Sequence, residues 1–209
     1  MRLVLILIAS ATLGVGCAFP RGRSEPATFF TLTPLETLDG AAGEPTKEVL
    51  GLGPVAIPGY LDRPQLVTRV GANEVQLAAV ARWGEPIREG IVRVLRQNLM
   101  AASAARAVIV YPWTSAAPVD LAVAVDVLRF EPNGRGDAEL VARWGLREVP
   151  RGRVLFVRES RIVEHAEDAG TGAAVAALSR TLGALGREIA AAVREVEPHR
   201  AGAAGSGRH

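Results

Sequence analysis

Cys17 is the only cysteine among 209 residues, so its thiol has no disulfide partner within the chain and is available for a diacylglycerol thioether. Few other side chains have the type and spacing that chemistry requires. The three histidines, His165, His199 and His209, do not fall at the spacing of a metal motif, and two lie in or beside the C-terminal tail. Asp120 and Asp126 sit six residues apart on one predicted strand, which puts them on one face but about 20 Å apart. A catalytic carboxylate pair needs about 5–9.5 Å. There is no Gly-x-Ser-x-Gly elbow and no glycine-rich loop leading into Lys and Ser or Thr, and Gly170-Thr171-Gly172 reads as the start of a helix. With Cys17 given to lipid, no nucleophile with a recognisable base is left. A non-enzymatic protein without metal or cofactor, apart from the covalent lipid on Cys17, is expected.

The segment before the cysteine explains why its thiol would meet lipid. Arg2 supplies a positive start, Leu3 to Leu13 is a run of apolar and small residues, and Gly14-Val15-Gly16 places small residues just before Cys17. The run is shorter than the roughly 20 residues a spanning helix needs. The pattern resembles a bacterial lipoprotein signal, cleaved before Cys17, although Gly14 stands where that pattern has a larger aliphatic. A secretory signal with an incidental cysteine is the alternative. Residue 18 is Ala and not Asp, which by resemblance to Gram-negative lipoprotein sorting implies export to the outer membrane, periplasmic face. Several acyl chains would make the anchoring stable where one binds only reversibly.

Removing the 16-residue signal from 209 leaves 193 residues, enough for one domain. An apolar fraction of 49% supplies a core. The formal charge of +2 and pI near 9.2 come from arginines scattered among Asp and Glu, with Lys47 the single lysine. No basic stripe forms, so nucleic acid is not an expected partner.

The periodicities then set the elements that would hold any functional surface. Residues 18–27 read as a polar tether, so the chain divides into a signal (1–16), a lipidated tether (17–27), a folded domain (28–197) and a disordered tail (198–209). Strands are predicted for Thr28 to Thr33 and for Val49 to Ile57, with a bulge or edge position at Gly53-Pro54. A loop at Pro34 to Glu48 separates them. A hairpin joins Gln65–Val70 to Glu74–Ala79. Pro86 opens a helix whose stripe is Ile87, Ile91, Val94, Leu95 and Leu99. A buried strand at Arg106 to Tyr111 follows. Strict alternation in Val119 to Phe130 and Ala138 to Arg147, then Val154 to Val163, predicts a three-stranded antiparallel meander with a turn over Glu131 to Asp137. A helix over Ala173 to Val196 carries Leu178, Leu182, Leu185, Ile189, Ala192 and Val196, with Gly183 and Gly186 admitting a close neighbour. The fold class is α+β: a single two-layer domain, a mixed, largely antiparallel sheet against two main helices.

Gly53-Pro54-Val55, Tyr60-Leu61-Asp62-Arg63-Pro64-Gln65, Val67-Thr68-Arg69, and Arg82-Trp83 with Glu85-Pro86 opening a helix that carries Asn98-Leu99 together resemble the paraquat-inducible protein C family. This family is also called the membrane-integrity-associated transporter subunit or ABC-type transport auxiliary lipoprotein. Phe29-Phe30-Thr31-Leu32 stands where it has a Tyr-Tyr-Leu type strand. The resemblance implies a periplasmic lipoprotein that works with a mammalian-cell-entry (MCE) domain protein in intermembrane lipid transport and envelope integrity, and it admits a homo-oligomer. A free-standing envelope module recognising a lipid or peptidoglycan fragment is the alternative. Tyr60, Asp62, Arg63, Arg69 and Arg82 are candidate docking residues, Tyr and Arg being enriched at contact centres. The residues also allow a plainer reading: a turn capped by Asp62 with Arg63 solvated, Trp83 sealing a sheet–helix junction, and Arg82 paired with Glu85 on the surface.

Overall fold

The computed structural model describes residues 25–35, 48–114 and 117–205, with side chains to 196. Cys17, the signal and most of both the tether and the 34–48 loop lie outside the described residues.

The strands divide into two sheets. The larger has the order β5-β2-β6-β7-β8, formed by β2 (Val49–Ala56), β5 (Ala107–Val110), β6 (Leu121–Pro132), β7 (Ala138–Glu148) and β8 (Arg153–Glu164). Its β6-β7-β8 part is the antiparallel meander that the alternation predicts, while β2 runs parallel to both β5 and β6. The smaller sheet has the order β1-β4-β3, with β1 (Thr28–Phe30), β3 (Gln65–Gly71) and β4 (Glu74–Trp83). There β3 and β4 form the predicted hairpin and β1 joins β4 in parallel. A bridge between Arg69 and Asn133 links the two sheets. The mixed α+β class holds, with the strands shared between two sheets that feed one main core, beside a small second cluster of Val49, Val119 and Ala122 packed by Trp113.

Both helices lie on one face of the large sheet. In α1 (Ile87–Ala102) all five stripe residues are buried, and Pro86 occupies the cap position, one residue before the first helical one. In α2 (Thr171–Gly205) Leu178, Leu182, Leu185 and Ile189 are buried against Leu140, Trp144 and Leu146 of β7 and against α1. Gly186 lets the helices meet: a Cβ there would lie 3.0 Å from Cβ of Asn98. At Gly183 it would overlap Leu35 at 2.1 Å. The helix runs past Val196 to Gly205, through eight of the residues expected as a disordered tail (198–205). Pro198 lacks the amide that would donate back along the helix, yet the helix continues through it. The bulge at Gly53-Pro54 is present, between Leu52 and Val55 of the β2–β6 ladder, but β2 is an interior strand and not an edge.

A second register shift, between Val127 and Arg129 of β6, turns the strand so that Phe130 points into the core. Glu131, expected in a turn, is therefore the eleventh of twelve residues of β6 and is only 2% exposed.

Candidate functional site

The loop between β2 and β3 carries Tyr60 to Pro64, and the fold makes this loop a lid over two strands. Pro58 and Pro64 fix its ends, and its turn is closed by Leu61 N–H donating to Pro58 O at 3.0 Å. Leu61 points into the core. Tyr60 then reaches across to β6, where its hydroxyl donates to Glu131 Oε2 at 2.8 Å. From β3, Arg69 Nε donates to Glu131 Oε1 at 2.7 Å, and the same guanidinium lies 5.7 Å from the centre of the Tyr60 ring. The Phe130 amide supplies a third donor to the carboxylate at 2.8 Å. A buried carboxylate needs this number of partners to offset its lost hydration. Burial of the phenol, reinforced by its bond to Glu131, pushes the Tyr60 pKa up to about 12. The hydrogen bond to Glu131 likewise raises the Arg69 value.

The five candidate docking residues thus separate. Tyr60 and Arg69 come together, but as a latch over Glu131, and the Tyr60 ring is half-buried instead of exposed. Glu131 is the member that sequence reasoning missed, being 71 residues from Tyr60. Its one signal is an acidic residue set directly after an inward-alternating strand. Arg82 is occupied too: its guanidinium donates to the carbonyls of Ala78, Ala79 and Ala81 of its own strand, at 2.8, 2.8 and 3.0 Å. The expected Arg82–Glu85 pair does not form. Glu85 pairs with Arg93 at 2.5 Å, and Arg93 also donates to Leu32 O at 2.9 Å, which ties α1 to the segment after β1. Trp83 is buried at the sheet–helix junction, as its position before α1 suggests.

Asp62 and Arg63 are what the loop offers outward. Asp62 pairs with Arg88 of α1 at 2.7 Å, both side chains about half exposed. A cleft of about 380 Å³ opens between this loop and the start of α1, lined by Asp62, Arg63, Pro64, Trp83, Glu85 and Pro86. Two stretches twenty residues apart in the chain, Asp62-Arg63-Pro64 and Trp83-Gly84-Glu85-Pro86, so converge on one surface. Arg63 Nε in this cleft is shielded from solvent and has no hydrogen-bond partner among the described residues. The rest of this half-buried guanidinium lines the cleft without a hydrogen bond among the described residues and is open to an acceptor from outside.

Among the described residues no three His, Cys, Asp or Glu side chains cluster to hold a metal, and no helix is long and apolar enough to cross a membrane. Asp120 accepts from the Val49 amide at 2.8 Å, whereas Asp126 is exposed on the sheet, so they do not form a pair. His165 contacts Asp137 at 2.7 Å on the surface, and this bond draws the Asp137 pKa down.

The family model described as the ABC-type transport auxiliary lipoprotein component matches residues 30–190, the whole span from β1 into the middle of α2. Among solved structures, the chain is similar to protein XCC0632 from Xanthomonas campestris, of the family DUF330. That likeness has a TM-score of 0.64 and 19% identity, covering 78% of this chain and 92% of the other. A crystal structure described only as an uncharacterized protein gives a TM-score of 0.66 at 18% identity, covering 83% of this chain and all of the other. At such identities these likenesses bear on the fold alone. No curated protein sequence matches the chain.

Proposed function

The chain belongs to the family of ABC-type transport auxiliary lipoprotein components, and from that premise we propose that it is the lipid-anchored subunit of an MCE-type, paraquat-inducible-like intermembrane lipid transport system. In this reading Cys17 carries the acyl chains at the periplasmic face of the outer membrane. The tether of residues 17–27 holds the domain of residues 28–197 near the leaflet. The protein performs no bond chemistry itself; it connects an MCE-domain protein to the outer membrane, and so serves envelope integrity.

The observation that carries the docking part is the cleft at Asp62, Arg63 and Pro64 against the start of α1. Arg63 brings a half-buried guanidinium with no acidic partner among the described residues to this cleft, and a carboxylate or carbonyl of a partner would form a charge-assisted bond with its outer N–H groups in a partly desolvated place. Tyr60 and Arg69 contribute indirectly, since their hold on Glu131 fixes the loop that presents Arg63.

The test is affinity purification of the full chain from solubilised envelopes, with Arg63→Ala and the charge reversal Arg63→Glu alongside it. The unaltered chain should retain an MCE-domain protein, and both variants should lose it while keeping an unchanged melting temperature. An MCE-domain protein that never accompanies the unaltered chain would refute the partner. Its retention by both variants would refute this cleft as the docking surface.

A further inference from the structure

The face of the large sheet that bears no helix holds a groove of about 490 Å³ running across β2, β6, β7 and β8. Its floor is made of the outward positions Ala122 and Ala124 of β6 and Gly145 of β7, beside Gly53-Pro54 of β2, so no side chain rises from the middle of it. Val154 and Val157 of β8 form one wall and are each 61% exposed. The exposed part of its lining is almost wholly apolar.

The chemistry of the floor selects among occupants. Strands β2, β6 and β7 each have a hydrogen-bonded neighbour on both sides, so their ladders leave few amides or carbonyls for an incoming peptide. A peptide lying there would bury its own backbone groups unpaired, at substantial cost. An alkyl chain has no such groups. The rim is charged unevenly. Arg143 has Glu159 at 3.4 Å and Asp126 opposite it in register, so its charge is balanced. Arg147, four residues on along β7, faces Ala122 and Val154 across the strands and has no acidic partner among the described residues. The groove therefore combines an alkyl-compatible floor with a free guanidinium at one end, and guanidinium matches phosphate oxygens in a two-point bond.

We infer that this groove binds an acyl chain of an anionic phospholipid, with the lipid phosphate on Arg147. The inference rests on the lipid-transport reading and gives it a site on the chain itself, separate from the Arg63 cleft. Lipid would enter as a single molecule drawn from a bilayer, the tail lying over Ala124 and Gly145.

The experiment places a photo-crosslinking benzoylphenylalanine at Ala124, or at the exposed Val157, in the full lipidated chain, in cells grown on radiolabelled phosphate. The same group at Gln97, exposed on α1, controls for simple closeness to membrane, and at Asp62 it reports the protein partner. Labelled lipid should be captured at 124 and 157 and not at 97, and Arg147→Glu should lower the capture at least about tenfold, the value of a lost charge-assisted bond. Equal labelling at 97, or none at 124 and 157, would overturn the inference. So would a protein-sized adduct at 124, which would make this face an interface with a second copy or another chain. Capture of an MCE-domain protein at 62 without lipid at 124 would fail the groove alone. Lipid at 124 without that partner at 62 would fail the docking reading alone.

Discussion

Replacing Tyr60 with Phe removes one oxygen and leaves the ring packing in place, so it isolates the bond from the phenol to Glu131. That carboxylate is almost fully buried and keeps Arg69 Nε at 2.7 Å and the Phe130 amide at 2.8 Å. A hydrogen bond to a charged, buried acceptor is worth about 1.5–3 kcal/mol. Tyr60→Phe should therefore cost about 2 kcal/mol in urea unfolding and lower Tm by about 4–8 °C for a chain of this size. Burial of the phenol, together with the same bond, gives an alkaline signature. The phenol value rises from 10.0 when unfolded to about 12 when folded, so the native state holds this proton more tightly. Stability is then full below pH 10, falls between pH 10 and about 12, where only the unfolded chain ionises, and levels off above. A rise of that size corresponds to at most about 2.7 kcal/mol, and solvent around the half-buried ring reduces it to about 1–2. With one lysine and two tyrosines in the chain, few other groups titrate in this window. Phenolate absorbance of a Tyr111→Phe chain followed during the pH titration reads Tyr60 alone. A cost below about 0.5 kcal/mol, or an alkaline decline that persists unchanged in Tyr60→Phe, would refute the latch.

Leu185, fully buried in α2, should lose about 2–5 kcal/mol on truncation to Ala, measured by chemical denaturation. Asp62→Ala should cost less than about 1 kcal/mol in the same assay, because its pair with Arg88 is about half exposed on both sides. Cys17→Ala should abolish incorporation of labelled palmitate and move the protein from the membrane to the soluble periplasmic fraction.

How much of this was legible beforehand depends on the range over which each feature is specified. Alternation in 119–163 and the stripes in 87–99 and 178–189 are local, since a residue's face follows from its place in a period of 2 or 3.6. The meander, both helices and their buried faces could accordingly be read in order, and so could the close approach at Gly183 and Gly186, because glycine on a packed helix face leaves room for a neighbour. The broader family, that of ABC-type transport auxiliary lipoprotein components, was also legible, in the run from Gly53 to Leu99 that the family model includes.

The partners of polar groups were not legible. Nothing within a few residues of Glu131 shows that Tyr60 and Arg69, 71 and 62 positions earlier, will meet on it; the register shift after Val127 and the bridge from Arg69 to Asn133 bring them there. Arg82 looked free because sequence shows its charge and hides the three carbonyls its own strand turns toward it. The division of strands into two sheets and the groove over Ala124 and Gly145 arise in the same way. Small residues at alternate positions mark a face, but only the placement of both helices on the other side leaves that face open. Which residues are apolar and how they repeat is written along the chain, and chain geometry converts that period into an element. The tertiary structure decided which charges are spent and which remain, because a hydrogen bond or ion pair between distant segments exists only once the core has brought them within 3 Å or so of one another.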